Sequence, residues 1–424
     1  MGSKMDRLVP SVSRMMSDIE HLSMFVDPSK PGWTRRPFTK QYADGRCWLT
    51  EKMEEAGLSV SLDAASNLIG SLSGSDLDLA PIMIGSHTDT VTGGGRFDGI
   101  IGVLAGIEIA RLLQQSGTQL RHPLQIVDFT AEEPSEFGIS TIGSRGMVGN
   151  LPEAMLELSD DTGLKLSDAI NQQGGNVERL TSEARQVGDV ALYLELHIEQ
   201  GPVLEQSGHQ LGAVLGIVGI HRYRVTLKGA PNHAGTTPMT LRNDALAGFC
   251  EIGLAFERHC NDHASVAVGT IGKVTNEPNA SNVVPGLVRF ELEIRSLDRK
   301  VADAVYAAFA AETIQIAARR GLRLSLELLS KSDSVIVKKS VLGGVLAACA
   351  SVAPAIHLAS GAGHDANQLA RIAPIGMIFV PSKDGRSHCP EEWTDEDDIA
   401  AGTQALAAAL LYFDKEDLSG WHDG

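Results

Sequence analysis

The stretch Pro81–Val103 reads PIMIGSHTDTVTGGGRFDGIIGV. An apolar run ends in Gly85-Ser86, and His87 and Asp89 follow at once. Three glycines and Arg96-Phe97-Asp98-Gly99 then lead into a second apolar pattern. Ala80 to Ile84 is short, apolar and followed by glycine, which predicts a buried strand. Gly99 to Gln115 carries Ile100, Val103, Leu104, Ile107 and Leu112 at helical spacing and stops near Gly117, which predicts a helix. The stretch is therefore a strand–turn–helix junction with a histidine and two acids at the turn. In open α/β sheets, ligands gather at the carboxyl ends of the strands. His87 and Asp89 are two apart, so an extended chain puts both side chains on one face. A carboxylate beside an imidazole fixes its tautomer, a common support for a metal-bound histidine. The glycines let the backbone turn sharply, so Asp98 can return to the same spot at the helix start.

The pattern recurs along the chain. The predicted strand Leu124–Phe129 runs into Thr130-Ala131-Glu132-Glu133. Adjacent residues point in different directions, so one glutamate can bind metal while the other faces a substrate as a base. The predicted strand Leu192–Ile198 carries His197 near its end, and Ile375–Val380 is followed by a loop carrying His388. Strand ends thus present His87, Asp98, Glu133, His197 and His388. Three imidazoles with two carboxylates suit two zinc-like ions bridged by a shared carboxylate.

Each residue also has a plainer reading. A single histidine near a strand end is more often polar surface than a ligand. Glu132-Glu133 alone fits a solvated pair, and Asp98 fits a helix cap. GGGRFDG resembles a dinucleotide loop, but the third glycine of G-x-G-x-x-G falls on Asp98. The coincidence at successive strand ends favours the metal reading over any of these.

Around this centre the chain of 424 residues is long for one domain, so two are expected. Further elements are predicted as a helix at Arg46–Gly57, with strands at Leu58–Leu62 and Leu68–Leu72. After Gly216 the texture changes. Strands at Ile220–Leu227, Val266–Val274, Val288–Ile294 and Leu322–Leu328 alternate with helices at Leu241–Cys260 and Val301–Arg319. That β-α-β-β-α-β order is ferredoxin-like. The expected fold class is α/β: a mixed-sheet di-metal domain over 1–215 and 333–424, with an inserted ferredoxin-like domain over 216–332. The second half of the first domain is predicted to hold a helix near Val341–Ser351 and a closing helix at Asp395–Phe413.

The formal charge of −17, with no basic run, argues against a nucleic-acid partner. Cys47, Cys250, Cys260, Cys349 and Cys389 are scattered, odd in number and form no CxxC, which suggests a reducing compartment, the cytoplasm. No apolar run reaches membrane-span length, so no membrane partner is expected. The N-terminus lacks the apolar core of a signal peptide, and Met1–Lys4 read as a cloning remnant.

GSHTDTVTGGGRFDGIIGVLAG, AEEPSEFG, ELHIEQGPVLE, NHAGTTPM, SGAGHDA and SHCPEE together resemble the hydantoinase/carbamoylase family. That family includes N-carbamoyl-L-amino-acid hydrolases, allantoate amidohydrolases and β-ureidopropionases, and it belongs to the clan of two-metal aminoacylase-like metallopeptidases. The likeness runs from about Gly32 to the last helix. It implies that His87 and His388 each bind one ion of a pair, that Asp98 bridges, and that Glu133 and His197 complete the shells. It implies Glu132 as general base and Asp89 as the residue that orients His87. The implied substrate-binding set is Gln200, His233, Asn282, Arg295, Gly363 and His364. A guanidinium such as Arg295 can hold a carboxylate bidentately, although its alternation with Glu291 and Glu293 also fits a surface ion pair. His364-Asp365 also fits a purely loop-shaping part.

The resemblance further implies a homodimer formed through the inserted domain, which acts as a lid, with His233 serving its own or a neighbouring subunit's site. The implied cofactors are two divalent ions per subunit: zinc first, with manganese, cobalt or nickel able to use the same donors. The implied reaction is hydrolysis of the ureido carbon–nitrogen bond of an N-carbamoyl-L-amino acid. Allantoate or N-carbamoyl-β-alanine is the alternative substrate, and an aminoacylase or dipeptidase a more distant one. A non-catalytic binding protein of the same fold would be expected to lack the base or a ligand, and none is missing here. The chain departs from many relatives in reading PSEFG after Glu132-Glu133, where they read GSRF, and in placing Cys389 after His388, where asparagine is common.

Overall fold

The computed structural model describes residues 8–421, so the cloning remnant read at Met1–Lys4 lies outside the described residues. The chain divides into two compact units. The first runs to Leu215 and resumes over Val337–Leu358 and from Gly363; the second spans Gly216–Ile336 with Ala359–Ala362. Residues 333–336 and 359–362, assigned to the first domain by the sequence reading, thus group with the second.

In chain order the strands are β1 Ser59–Leu62, β2 Leu68–Leu72, β3 Ile82–His87, β4 Leu124–Phe129, β5 Leu192–Ile198, β6 Leu211–Ile217, β7 Gly219–Lys228, β8 Ala267–Glu277, β9 Leu287–Ser296, β10 Arg323–Lys331, β11 Val335–Ile336, β12 Ala355–Ser360 and β13 Ile375–Val380. The longer helices are α1 Val12–Leu22, α2 Lys40–Glu55, α3 Ile100–Ser116, α4 Ala245–Asn261, α5 Arg299–Arg319, α6 Lys339–Ala350 and α7 Glu396–Phe413.

The first unit is built on a mixed sheet in the order β1-β2-β4-β3-β5-β13-β6, with β12 also against β6. β3 runs parallel to β4 and β5, and β13 parallel to β5. β1, β2 and β6 join antiparallel at the flanks. β3, β5 and β13 are buried along their whole length, the mark of parallel strands covered by helices on both faces. α3 packs on β3 and β5, α7 on β13, β5 and α3, and α6 on α7 and β13. β3 extends past the predicted end at Ile84 through His87, because pairing with β4 continues to the His87–Phe129 register pair. α2 begins earlier than predicted, at Lys40, because the Thr39 side chain accepts from the Tyr42 N–H and caps it.

The second unit follows the predicted β-α-β-β-α-β order as β7-α4-β8-β9-α5-β10. Its strands pair antiparallel in the order β10-β7-β9-β8. Alternate residues of β7 and β9, such as Val225, Leu227, Phe290 and Leu292, meet Ile252 and Phe256 of α4 and Val305 and Phe309 of α5 in its core. α5 is long and apolar enough by composition to cross a membrane, yet Val305, Phe309 and Ile316 are buried in this core.

Candidate metal centre

β4, β3, β5 and β13 lie side by side and parallel, so their carboxyl ends emerge along one edge of the sheet. Register sets the heights: His87 stands opposite Phe129, and His197 opposite Phe379. The loops leaving β3, β4 and β13 supply Asp98, Glu133 and His388 to the same place.

Two of the imidazoles are oriented by backbone carbonyls. His87 Nδ1 is 3.0 Å from the Asp89 carbonyl oxygen, and His197 Nδ1 is 2.9 Å from that of Ile198. A carbonyl only accepts, so each Nδ1 carries the proton and each Nε2 turns a lone pair inward. Both lone pairs face one carboxylate oxygen: Asp98 Oδ1 lies 3.1 Å from His197 Nε2 and 4.0 Å from His87 Nε2. That oxygen is buried and has no aligned hydrogen-bond donor. Its twin, Asp98 Oδ2, lies 3.0 Å from His388 Nε2, which is itself 3.2 Å from Glu133 Oε1.

The donors thus form two sets, His87–Asp98–His197 and Asp98–Glu133–His388, each with its ligand atoms within 4.8 Å of one another. Asp98 belongs to both. Two ligands at about 2.0–2.2 Å on a tetrahedral zinc-like ion stand roughly 3.3 Å apart, close to three of these nitrogen–oxygen separations, while the His87–Asp98 pair at 4.0 Å is wider. The donor set therefore fits a pair of divalent cations sharing Asp98. A third set, Glu195–His197–His364, shares His197, but the Glu195 oxygens already accept from Ser86 Oγ and the Tyr193 hydroxyl, each at 2.9 Å.

Charge in the centre points the same way. Its contacts with Asp98 and Glu133 push His388 up to about 11. Burial pulls His197 down, but the Asp98 contact outweighs it and carries that imidazole to about 9. Burial would raise Asp98, yet His197 and His388 hold it well below the usual carboxylate range. The carboxylates thus draw protons onto imidazoles whose lone pairs a metal would use, so metal binding here displaces protons.

The glutamate pair is held from below. Asp89 Oδ1 and Oδ2 accept the Glu132 and Glu133 N–H groups, both at 3.1 Å, while Asp89 Oδ1 is 3.6 Å from His87 Nδ1. The carboxylate expected to orient His87 instead anchors the glutamates, and the Asp89 backbone orients the histidine. Glu132 Oε2 lies 3.7 Å from His87 Nε2. Burial, followed by the charges of Asp365 and Glu133, raises Glu132 well above its ordinary value. Gly99 has φ +70, and a Cβ there would overlap the His87 imidazole, so the turn after Asp98 requires glycine.

Of the predicted substrate-binding residues, Gln200 sits in the centre, with Nε2 2.9 Å from Asp98 Oδ2. His364 is buried and edge-on to His197, at 4.5 Å between ring centroids. Gly363 precedes it in the same loop. His233, Asn282 and Arg295 belong to the second unit. There the Ala234 N–H donates to the Asn282 carbonyl, which brings the His233 and Asn282 loops together. Arg295 is tied to Glu293 through Nε at 2.7 Å and Nη2 at 2.6 Å, and to the Gly361 carbonyl. The ion-pair reading of Arg295 therefore holds within that unit. Sequence reasoning assigned no part to Glu195, Arg36 or Glu392. Glu392 had one available signal, as the last acid of SHCPEE, while Arg36 stands alone in a loop. Arg36 ties two loops of the centre, donating to the Thr90 carbonyl at 2.9 Å and pairing with Glu136 of the PSEFG segment.

The profile of peptidase family M20/M25/M40 matches residues 83–412, a span that contains His87, Asp98, Glu132, Glu133, His197 and His388. The N-carbamoyl-L-amino acid amidohydrolase of Geobacillus stearothermophilus is 42% identical over 376 residues, covering 88% of this chain and 92% of its own. The allantoate amidohydrolase of Bacillus subtilis (strain 168) is 34% identical over 411 residues, covering 96% and 99%. The solved structure of a hydantoinase/carbamoylase-family amidase from Burkholderia multivorans superposes with a TM-score of 0.89 at 33% identity, covering 95% and 98%. The chain belongs to the hydantoinase/carbamoylase amidases of peptidase family M20/M25/M40. The enzymes of this family are metal-dependent hydrolases, and the carbamoylase-type chain described here carries donor groups for that metal.

Proposed function

We propose that this amidase hydrolyses the ureido carbon–nitrogen bond of N-carbamoyl-L-amino acids at a two-ion centre. The observation that carries the reading is Asp98, a buried carboxylate whose two oxygens face two separate donor sets. His87, His197 and Asp98 would hold one ion, and Asp98, Glu133 and His388 the other. When bound, such ions polarise the ureido carbonyl and lower the pKa of the attacking water. Glu132 takes the proton of that water and returns it to the leaving nitrogen. Asp89 keeps Glu132 in reach of both. Arg295, Asn282 and His233 are assigned to the substrate's carboxylate and ureido oxygen, and Gln200, Gly363 and His364 to its placement beside Asp98. The products are the free amino acid, carbon dioxide and ammonia. Support for the substrate comes from the Geobacillus stearothermophilus relative's name and identity. We further propose zinc as the resident metal, a homodimer formed through the second unit, and residence in the cytoplasm.

The test is a turnover screen with N-carbamoyl-L-amino acids, N-carbamoyl-β-alanine, allantoate and N-acetyl amino acids, run on the metal-loaded protein, the chelator-stripped protein and Glu132→Gln. The expected result is ammonia release from N-carbamoyl-L-amino acids, lost on stripping and restored by zinc, manganese, cobalt or nickel. Glu132→Gln should keep its metal and lose turnover by about 10²–10⁴-fold, the usual worth of a positioned acid–base. Turnover of allantoate alone replaces the substrate with the one named for the Bacillus subtilis relative, and full activity of Glu132→Gln removes the mechanism.

A further inference from the structure

His388 is the least supported ligand of the centre. It sits in the loop after β13 rather than on a strand, its side chain is 47% exposed, and its backbone has φ +57. Asp98 also lies in a loop, between the glycines and the first turn of α3. The two loops are almost three hundred positions apart in the chain, and each needs something to hold it against the other.

One buried side chain touches both. Glu392 Oε1 accepts the N–H groups of Phe97 at 3.0 Å and Asp98 at 3.1 Å. Glu392 Oε2 accepts Ser387 Oγ at 3.0 Å and the His388 N–H at 3.4 Å. Glu392 is 2% exposed, so its carboxylate meets these donors away from water. Ser387 Oγ lies 3.1 Å from Asp98 Oδ2 as well, which closes the network. The approach depends on Gly95, where a Cβ would overlap the Glu392 carboxylate, so the third glycine of the opening motif makes room for it. Rings flank the junction: Phe97 and Trp393 meet edge-on at 5.3 Å, with the Arg96 guanidinium over both and over Trp33.

We infer that Glu392 is a positioning residue that clamps the Asp98 loop to the His388 loop and so sets the affinity of the ion held by Glu133 and His388. This rests on the two-ion reading. The other ion shares Asp98 but has two further ligands, His87 and His197, that stand at strand ends and are oriented by their own carbonyl contacts. Partners that orient metal ligands typically change metal affinity by about 10- to 100-fold when removed. Loss of Glu392 should therefore fall mainly on one of the two binding steps.

Stepwise titration of the stripped protein with Co²⁺ against a competing chelator reads both steps, and the cobalt absorption spectrum reports the ligand geometry at each. Glu392→Gln is the primary variant, since it keeps the shape and one acceptor oxygen; Glu392→Ala follows, with circular dichroism to establish folding. Wild type should bind two ions per subunit. Glu392→Gln should weaken one step about 10-fold, and Glu392→Ala up to 100-fold, with the other step changed less than about three-fold. Two unaltered steps in a folded Glu392→Gln protein, or equal loss in both, overturn the inference. Wild type binding fewer than two ions overturns the two-ion centre itself, and this role with it.

Discussion

Replacing Asp89 by alanine separates two accounts of that carboxylate. If it orients His87, its loss loosens the ion assigned to His87 and His197. If it anchors the glutamate pair, its loss frees Glu132 and Glu133 and leaves His87 in place. The geometry supports the second account, because both Asp89 oxygens accept glutamate N–H groups at 3.1 Å and His87 Nδ1 is bonded to the Asp89 carbonyl, which alanine retains. Asp89 is fully buried, so the substitution strands two donors away from water. Each stranded donor costs about 1–3 kcal/mol, which sums to roughly 2–6 kcal/mol. The first unit has about 300 residues and an unfolding entropy near 0.6 kcal/mol/K at ~2.1 cal/mol/K per residue. The expected fall in Tm is about 3–10 °C. A base displaced by an ångström costs on the order of 10²-fold in kcat. Differential scanning fluorimetry, steady-state kinetics at saturating metal and the stepwise metal titration measure all three quantities. Asp89→Asn, with one acceptor oxygen left, should fall between alanine and wild type. Weakened binding of the ion assigned to His87 and His197, with kcat at saturating metal intact, would sink the argument and return the carboxylate to His87.

Arg295→Lys removes the planar fork while keeping the charge, and should raise KM about 10-fold with kcat retained. Its pair with Glu293 is partly exposed, so the change in Tm should stay within ~2 °C; a loss confined to stability would remove Arg295 from substrate binding. Thiol titration with an aromatic disulfide reagent at pH 8 should modify the exposed Cys47 and Cys250 first and Cys389 more slowly. Burial pushes Cys260 up to about 11 and Cys349 up to about 12. A raised thiol pKa leaves at most about one thousandth of either as thiolate at pH 8. These two should react only after denaturant is added, and their prompt modification in the folded protein would contradict the packing around them.

Much of this molecule could be read from residue order. Strands 68–72, 124–129, 192–198 and 375–380 have their predicted bounds, because each is a short apolar run closed by turn residues. The ferredoxin-like order of the second unit was legible for the same reason. α1 at Val12–Leu22 and β6 at Leu211–Ile217 were not found. α1 carries its buried stripe of Met15, Ile19 and Leu22 at helical spacing and packs on α3 and α7, so its signal was present in the sequence and was passed over. β6 follows the turn at Gly208 and is separated from β7 by Val218 alone, and its sequence LGAVLGI carries no alternation, because it is paired with β13 and buried at six of its seven positions.

The metal-ligand set was legible because strand-end histidines and acids recur with the same local pattern, and local pattern is what a sequence carries. Which oxygen faces which nitrogen was not. That Asp89 serves the glutamates through its carboxylate and His87 through its backbone depends on a hydrogen-bond geometry that a two-residue spacing leaves open. That Glu392 reaches Phe97 and Asp98 depends on the parallel placing of β3, β5 and β13, which brings loops some three hundred positions apart to one edge. The sequence by itself determined the donor types and the elements that bear them. Only the tertiary structure decided their pairing, because contacts between distant loops are set by the packing of the sheet and not by neighbours along the chain.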